Sequence, residues 1–445
     1  MATGHAKPGV GPWGALRFRD FRLLWLGQLI SVTGSQMRVV AVGWQVYLIS
    51  HSALMLGLLG LGQALALMTS SLVAGVVADA FDRRKLLIVV QSVLATGSIV
   101  LAVSTASGWA SLPLIYATTF LTGAASAFDF PTRQALIASI VPRADLPKAL
   151  GLNAVLFNVA SIAGPVAGGF AIGALGLAGT YSVDVASFLV VIAALVAMRP
   201  PAIPHHARPR VNFGAWLEGF GYLRARPVLL SLMALDFCAN FFGSPQALLP
   251  IYARDILHIG SRGLGLLVSA GAVGAVLGAL FSGRLSHVRR QGLGVLLGVT
   301  VWGGCIVLFG LANGPLLPYA PWTHIAWQAP FFVSFVALAG AGAGDLVGMV
   351  LRNTIVQLST PDELRGRVGA TNSIFIIGGP TLGQFESGVV ASALSPQMSV
   401  LTGGLACLLA TGIIALVVPR LRRYRLDADM PSAARTTATS TTATP

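Results

Sequence analysis

Long apolar runs alternate with short charged clusters along this chain. From Ser52 to Ala78 no side chain is charged, and the run then ends in GVVADAFDRRK, Gly75 to Lys85, where two aspartates and three bases fall within seven residues. At ~1.5 Å per helical residue the run is roughly 40 Å long, enough to cross a ~30 Å hydrocarbon core with tilt. Leu86 to Phe128 and Gln291 to Gly344 are also uncharged, and each is long enough for two crossings. The same pattern over the whole chain predicts about twelve membrane helices, at 21–50, 53–79, 85–106, 112–138, 148–175, 180–198, 227–253, 263–284, 292–312, 325–358, 367–393 and 398–419.

Between the sixth and seventh spans, residues 199–226 begin as a Pro/Arg/His linker. They continue with Phe213, Trp216, Leu217, Phe220 and Leu223 at the spacing of an amphipathic helix lying on the membrane face. Residues 1–20 form a polar N-terminal segment. The tail at 420–445 is basic, then rich in Ala, Ser, Thr and Pro, a composition that predicts disorder.

Composition agrees: of 445 residues, 55% are hydrophobic and only 10% charged, too few charges to wet the surface of a soluble protein. The net charge of +14 would suit nucleic acid, but the bases collect in alternate loops. Segments on the N-terminal side hold Arg17, Arg83, Arg143, Arg224, Arg290 and Arg420 among many others, while the opposite segments hold only Arg254 and Arg262. That asymmetry excludes nucleic acid as partner and predicts cytoplasmic termini. The three cysteines, Cys238, Cys305 and Cys407, lie in apolar spans without metal spacing and read as packing residues. No removable signal sequence is expected.

The halves resemble each other. A shift of 219 residues superimposes Arg133 on Arg352, Pro142 on Pro361, Lys148 on Arg367 and Asn153 on Asn372. The predicted fold class is therefore all-α integral membrane, with a six-helix bundle at 21–198 duplicated at 227–419. Many transporters are built from such repeats, with the substrate site where the halves meet.

GVVADAFDRRK resembles the loop motif of the major facilitator superfamily, with Gly75, Asp79, Arg83 and Arg84 at the motif positions and Asp82 where a glycine is common. RDFRLLWLGQLISVTGSQM, FDFPTRQALI, GLNAVLFNVASIAGPVAGG and EGFGYLRARP are similar to the bacterial siderophore and drug exporter branch of that superfamily. The resemblance implies a secondary transporter in the bacterial inner membrane, expected to be monomeric. It implies that the Asp79 cluster latches the halves on the cytoplasmic side, with Arg83 or Arg143 as partner of Asp79. A solvated topology anchor is the alternative. It also implies that Gly151, Gly164, Pro165, Gly168 and Gly169 form the helix motif of proton-coupled exporters. Ala160 departs from that pattern, and plain helix packing is the alternative role.

Charges inside spans are costly in hydrocarbon and so are functional candidates. Asp129 and Arg133, one turn apart, predict an ion pair, structural or gating, with Arg352 as the repeat equivalent. Asp236 lies about 15 Å into its span, where a carboxyl group facing a wet cavity can load and release a proton. It is the first candidate for proton coupling, followed by Glu386 and Asp345. Arg38 would hold an anion or tune that carboxyl, and Asp184 reads as an interfacial residue. Trp44, Gln45, Tyr47, Gln63 and Asn240 are candidates for a substrate cavity.

Enzymatic activity is not expected: the chain has no HExxH, nucleophile elbow, CxxC or Walker loop. No cofactor or metal is expected. Within transport, export in exchange for protons is favoured by the resemblance, and uptake by proton symport is the alternative. A sensor that transports nothing would need an attached signalling domain. The expected partners are a small organic substrate, protons and the lipid bilayer.

Overall fold

In hydrocarbon every backbone N–H and C=O must find its partner within the protein, and a helix pairs them within one segment. The computed structural model describes residues 12–199, 221–224, 226–280, 290–312 and 328–424, and among these no strand occurs. After a 3-10 turn at Pro12–Arg17 come α1 (Arg19–Ser50), α2 (Ala53–Ala80), α3 (Arg83–Ala106), α4 (Leu112–Ile140) and α5 (Leu146–Ala197). Then follow α6 (Pro227–Phe242), α7 (Gly260–Leu280), α8 (Gln291–Ala312), α9 (Gln328–Ser359), α10 (Asp362–Ala393), α11 (Pro396–Val417) and the short α12 (Pro419–Arg423). Eight helices among the described residues are long and apolar enough to cross a membrane. Of the predicted amphipathic segment, Leu223 is described and buried, while Phe213, Trp216, Leu217 and Phe220 lie outside the described residues, as does the tail after 424.

The fifth and sixth expected spans, 148–175 and 180–198, are the two arms of α5, helices that meet at Gly176, where φ is 72° and ψ −179°. That conformation is essentially restricted to glycine. Contacts with α1 show what happens there. Before Gly176 the partners run in the same sense, from Trp25 donating to the Leu152 carbonyl to Gly168 against Met37. After it they run in the opposite sense, from Tyr181 donating to Gln45 to Gly27 against Ala194. The chain therefore reverses direction at one residue. The seventh span, expected at 227–253, is found as a candidate crossing at Pro227–Ile256, but its regular α-helix ends at Phe242. Pro245 and Pro250 lack the N–H groups a helix needs, and the chain continues as short 3-10, α and π turns through Ile256.

The chain resolves into two units, neither of them continuous in sequence. The first takes the described residues within 1–51, 62–211 and 259–269, and the second those within 52–61, 212–258 and 270–445. In the first unit, α1, α3, α4 and α5 bury Phe21, Leu24, Leu87, Leu136, Ile137 and Phe188 together. In the second, Leu229, Leu232, Val295, Val299, Leu351 and Ile355 do the same between α6, α8 and α9. Large apolar side chains such as Val89, Leu189 and Leu409 remain exposed, as expected where lipid is the solvent.

Lipid tails are as apolar as leucine, so helices are held by close packing, and small residues permit the closest approach. Gly164 and Gly168 abut α1, where a methyl group on Gly168 would lie 2.9 Å from the Met37 Cα. Gly169 and Gly265 face each other inside the first unit, and a methyl group on Gly265 would collide with the Pro165 carbonyl. In the second unit, Gly274 packs directly on the Ala339 backbone.

The N-terminal turn is tied to the start of α5. Arg17 donates to Asp145 at 2.6 Å, and Lys148 donates to the other carboxylate oxygen at 3.0 Å. The Lys148 hydrogen bond, with the charge of Arg17, holds the Asp145 carboxyl below its ordinary 3.8. A depressed value means that this contribution is complete above the ordinary carboxylate range and is lost as pH falls through it.

Two outcomes are expected. Gly265→Ala should cost about 1–3 kcal/mol through overpacking, whereas Gly151→Ala, with open space around it, should be neutral or slightly stabilising; the midpoint of thermal unfolding in detergent checks both. The difference in that midpoint between the parent chain and Asp145→Asn should be constant across neutral and mildly acidic pH. It should shrink only below the ordinary carboxylate value.

Candidate functional site

Apart from Glu386, the candidate charges within the spans gather in three clusters, two in the first unit and one in the second. Arg133 on α4 is fully buried. Its Nη1 lies 3.2 Å from the Asp129 carboxylate one turn back and donates to Gln28 Oε1 on α1 at 2.9 Å. Gln91 on α3 donates to the second Asp129 oxygen at 2.8 Å, and Phe157 on α5 presents its ring 4.6 Å from the guanidinium carbon. Four helices thus converge on one guanidinium, which satisfies the cation by charge, hydrogen bonds and a ring face.

The second cluster revises two expectations. Asp184, read as interfacial, has no exposed surface at all. Arg38, read as a partner for Asp236 or for an anion, places its Nε 3.1 Å from Asp184 Oδ2 and donates to Thr122 at 3.2 Å. Ser98 donates to the same carboxylate at 2.6 Å. The reason for the first error is the reversal at Gly176. The return arm begins there, so Asp184 sits eight residues in (176 to 184), roughly 12 Å along the helix. A conventional loop would have left it at the surface.

In the second unit, the Asp236 carboxylate on α6 meets the Arg352 guanidinium on α9 in a direct ion pair, and Asn240, one turn on, donates to it at 3.1 Å. Arg352 was expected at a cytoplasmic gate. Its described partner is instead the first-choice proton carrier. Asp345 lies two helical turns before Arg352 on the same helix and within electrostatic reach of both Arg352 and Asp236. Glu386 on α10 is half-buried and has no hydrogen bond or ion pair among the described residues. The two buried arginines related by the 219-residue shift are built alike. Arg133 reaches Gln28, nine residues into α1 (19 to 28), and Arg352 reaches Asp236, nine residues into α6 (227 to 236).

The cavity candidates differ in burial and in their partners. Trp44, Gln45 and Tyr47 are buried within the first unit, with Gln45 accepting from Tyr181 at 2.7 Å and donating to Thr105 at 2.9 Å. Gln63 is half-buried beside Gly123, and Asn240 belongs to the Asp236 cluster. In the loop motif, the surroundings of Gly75 and Asp79 lie outside the described residues. Asp82 caps α3 by accepting from the Lys85 N–H at 3.0 Å. Arg83 donates to the Ala135 carbonyl of α4, and Arg84 donates to the Leu195 and Val196 carbonyls, each at 2.6 Å, at the end of α5. Arg84 therefore binds carbonyls in the last turn of α5, where backbone acceptors lack partners and a cation is favoured, while Arg83 reaches a carbonyl five residues before the end of α4. Of the exporter glycines, Gly164, Gly168 and Gly169 with Pro165 line close contacts, while nothing approaches Gly151. Among the described residues no group of three or more His, Cys, Asp or Glu could hold a metal ion.

Charge counting alone found the aspartates and arginines but not Gln28, Gln91, Ser98 or Thr122, which complete the clusters. The available signal was an uncharged hydrogen-bonding side chain inside a span. Removing one member of the Arg38–Asp184 pair strands a buried charge, so Arg38→Met should cost about 3–5 kcal/mol. Adding Asp184→Asn to that variant should restore more than half of the loss, as read by unfolding in detergent.

Comparison with known proteins agrees with this architecture. The family model described as transmembrane secretion effector matches residues 10–441. The chain is 27% identical over 406 residues to the enterobactin exporter EntS of Shigella boydii serotype 18, covering 91% of this chain and 93% of that one. Among solved structures, a bacterial homolog of the human lysosomal transporter Spinster, inward-facing and occupied, is similar with a TM-score of 0.69 at 14% identity, over 92% of this chain and 98% of that one. A POT family transporter in complex with 5-aminolevulinic acid gives a TM-score of 0.70 at 12% identity, over 91% and 96% of the two chains. A helical membrane protein with paired charges inside its spans, matched by one family model over nearly its whole length, is a transporter and not an enzyme: the chain belongs to the transmembrane secretion effector family of the major facilitator superfamily.

Proposed function

We propose that this chain exports a small organic molecule of siderophore-like or drug-like character from the bacterial cytoplasm in exchange for protons, by alternating access. The observation that carries the proposal is the Asp236–Arg352–Asp345 cluster. Asp236 pairs with the guanidinium and Asp345 lies within electrostatic reach of both, so the cluster is neutral with one proton bound and carries one negative charge without it. Apolar surroundings make that difference large. A proton arriving from the periplasm neutralises the cluster and a proton leaving to the cytoplasm restores its charge, which biases a two-state carrier in opposite directions. Glu386, half-buried and unpaired among the described residues, is a second group at which a proton can bind.

Similarity to the enterobactin exporter supports the outward direction and a siderophore-like cargo. The family resemblance supports a cytoplasmic role in gating for the loop around Asp79. The asymmetry of basic loops supports cytoplasmic termini.

Everted membrane vesicles containing the chain, given enterobactin as probe and an imposed pH gradient, should accumulate the probe, and a protonophore should abolish that accumulation. Asp236→Asn and Asp345→Asn should each uncouple uptake from the gradient. Full proton-driven accumulation by the double variant would overturn the assignment of the carrier cluster. Accumulation in right-side-out vesicles instead would establish uptake.

A further inference from the structure

The end of the second unit where α6 begins and α11 finishes contains a cavity of about 530 Å³ that none of the transport chemistry uses. Three guanidiniums border it: Arg226 just before α6, and Arg420 and Arg423 on α12. None of the three has a carboxylate partner among the described side chains, which do not include those of Asp362 and Glu363. The cavity is not a random basic surface, because its wall is fixed. Ser359 and Tyr424 join hydroxyl to hydroxyl at 2.6 Å, and Tyr222 donates to the Ser359 carbonyl at 3.0 Å. Arg226 stacks over the Tyr222 ring at 4.6 Å, and Leu421 beneath is fully buried.

A second feature adds to the positive potential. The first turn of α6 opens into this cavity through Val228 and Leu229, and no side chain caps that helix. The N–H groups of a helix's first turn have no intrahelical acceptor and favour an anion. Guanidiniums and helix N–H groups together are the donor set that recognises a phosphate group.

The surroundings indicate where such a phosphate comes from. Leu409, Ile413 and Leu416, at successive turns of α11, are 66%, 58% and 69% exposed, and exposed Val417 lies two residues before the lining residue Pro419. An apolar strip ending in a cationic pocket matches one phospholipid, with an acyl chain along α11 and its headgroup at α12. We propose that this cavity binds the phosphate headgroup of an anionic phospholipid, held by Arg226, Arg420 and Arg423, and that it thereby docks α12 against the membrane surface. Basic pockets at helix ends bind acidic lipid headgroups by this chemistry.

The full chain in detergent micelles, titrated with phosphatidylglycerol or phosphatidylcholine and read by native mass spectrometry, tests the assignment. Phosphatidylglycerol should be retained in preference to phosphatidylcholine. Arg420→Gln with Arg423→Gln should weaken its retention on the order of tenfold. Both residues are exposed, so the variant should unfold at the parent's temperature, measured alongside. Lys85→Gln with Arg143→Gln removes the same charge elsewhere and should leave retention unchanged. Equal retention by the Arg420/Arg423 variant, or an equal loss in the control, would overturn the site. Binding of inorganic phosphate that displaces phosphatidylglycerol would overturn the lipid as its source.

Discussion

A guanidinium or carboxylate can enter a hydrocarbon slab only if something in the protein replaces the water it leaves, and most of the polar architecture of this chain follows from that requirement. Arg38, Arg133 and Arg352 each meet a carboxylate within a span, and no two use the same geometry. Arg133 takes its counter-charge from its own helix, Arg38 from the return arm of α5, and Arg352 from α6. Because each cluster ties two or more helices, the register between those helices is fixed by polar contacts as well as by packing. Where apolar surfaces are equally content against lipid, such contacts supply orientation that hydrophobicity cannot.

The clusters also divide by their balance of charge. Around Arg133 and Arg38 one carboxylate faces one cation, with amide, hydroxyl and aromatic groups beside the pair. Around Arg352 a second carboxylate, Asp345, lies within electrostatic reach. Equal charge suits a fixed brace. A surplus of acid over base suits a group that changes charge.

Much of the fold was legible in the sequence because length and absence of charge are what a bilayer selects for. The uncharged run from Ser52 and the two long gaps at 86–128 and 291–344 each contain the helices expected of them, within a few residues at the described ends. Local backbone chemistry was harder to read. The apolar runs put a turn between 175 and 180, but nothing in a run of Leu, Ala and Gly marks Gly176 itself as the hinge, so Asp184 lies deeper along its arm than the sequence suggested. Pro245 and Pro250 were visible signals of a break after Phe242 and were outweighed by the apolar run around them. At the candidate site, individual charges were identifiable by their cost, but their partners depend on which helices are neighbours. One sequence does not reveal that Arg84 will grip the end of α5 or that Arg352 will face Asp236.

The reversal at Gly176 also bears on how the protein is made. A return executed by one residue, with no polar loop between the arms, leaves almost nothing hydrophilic to be dragged through the bilayer during biosynthesis. The two arms of α5 can therefore partition from the translocon as a single oily hairpin.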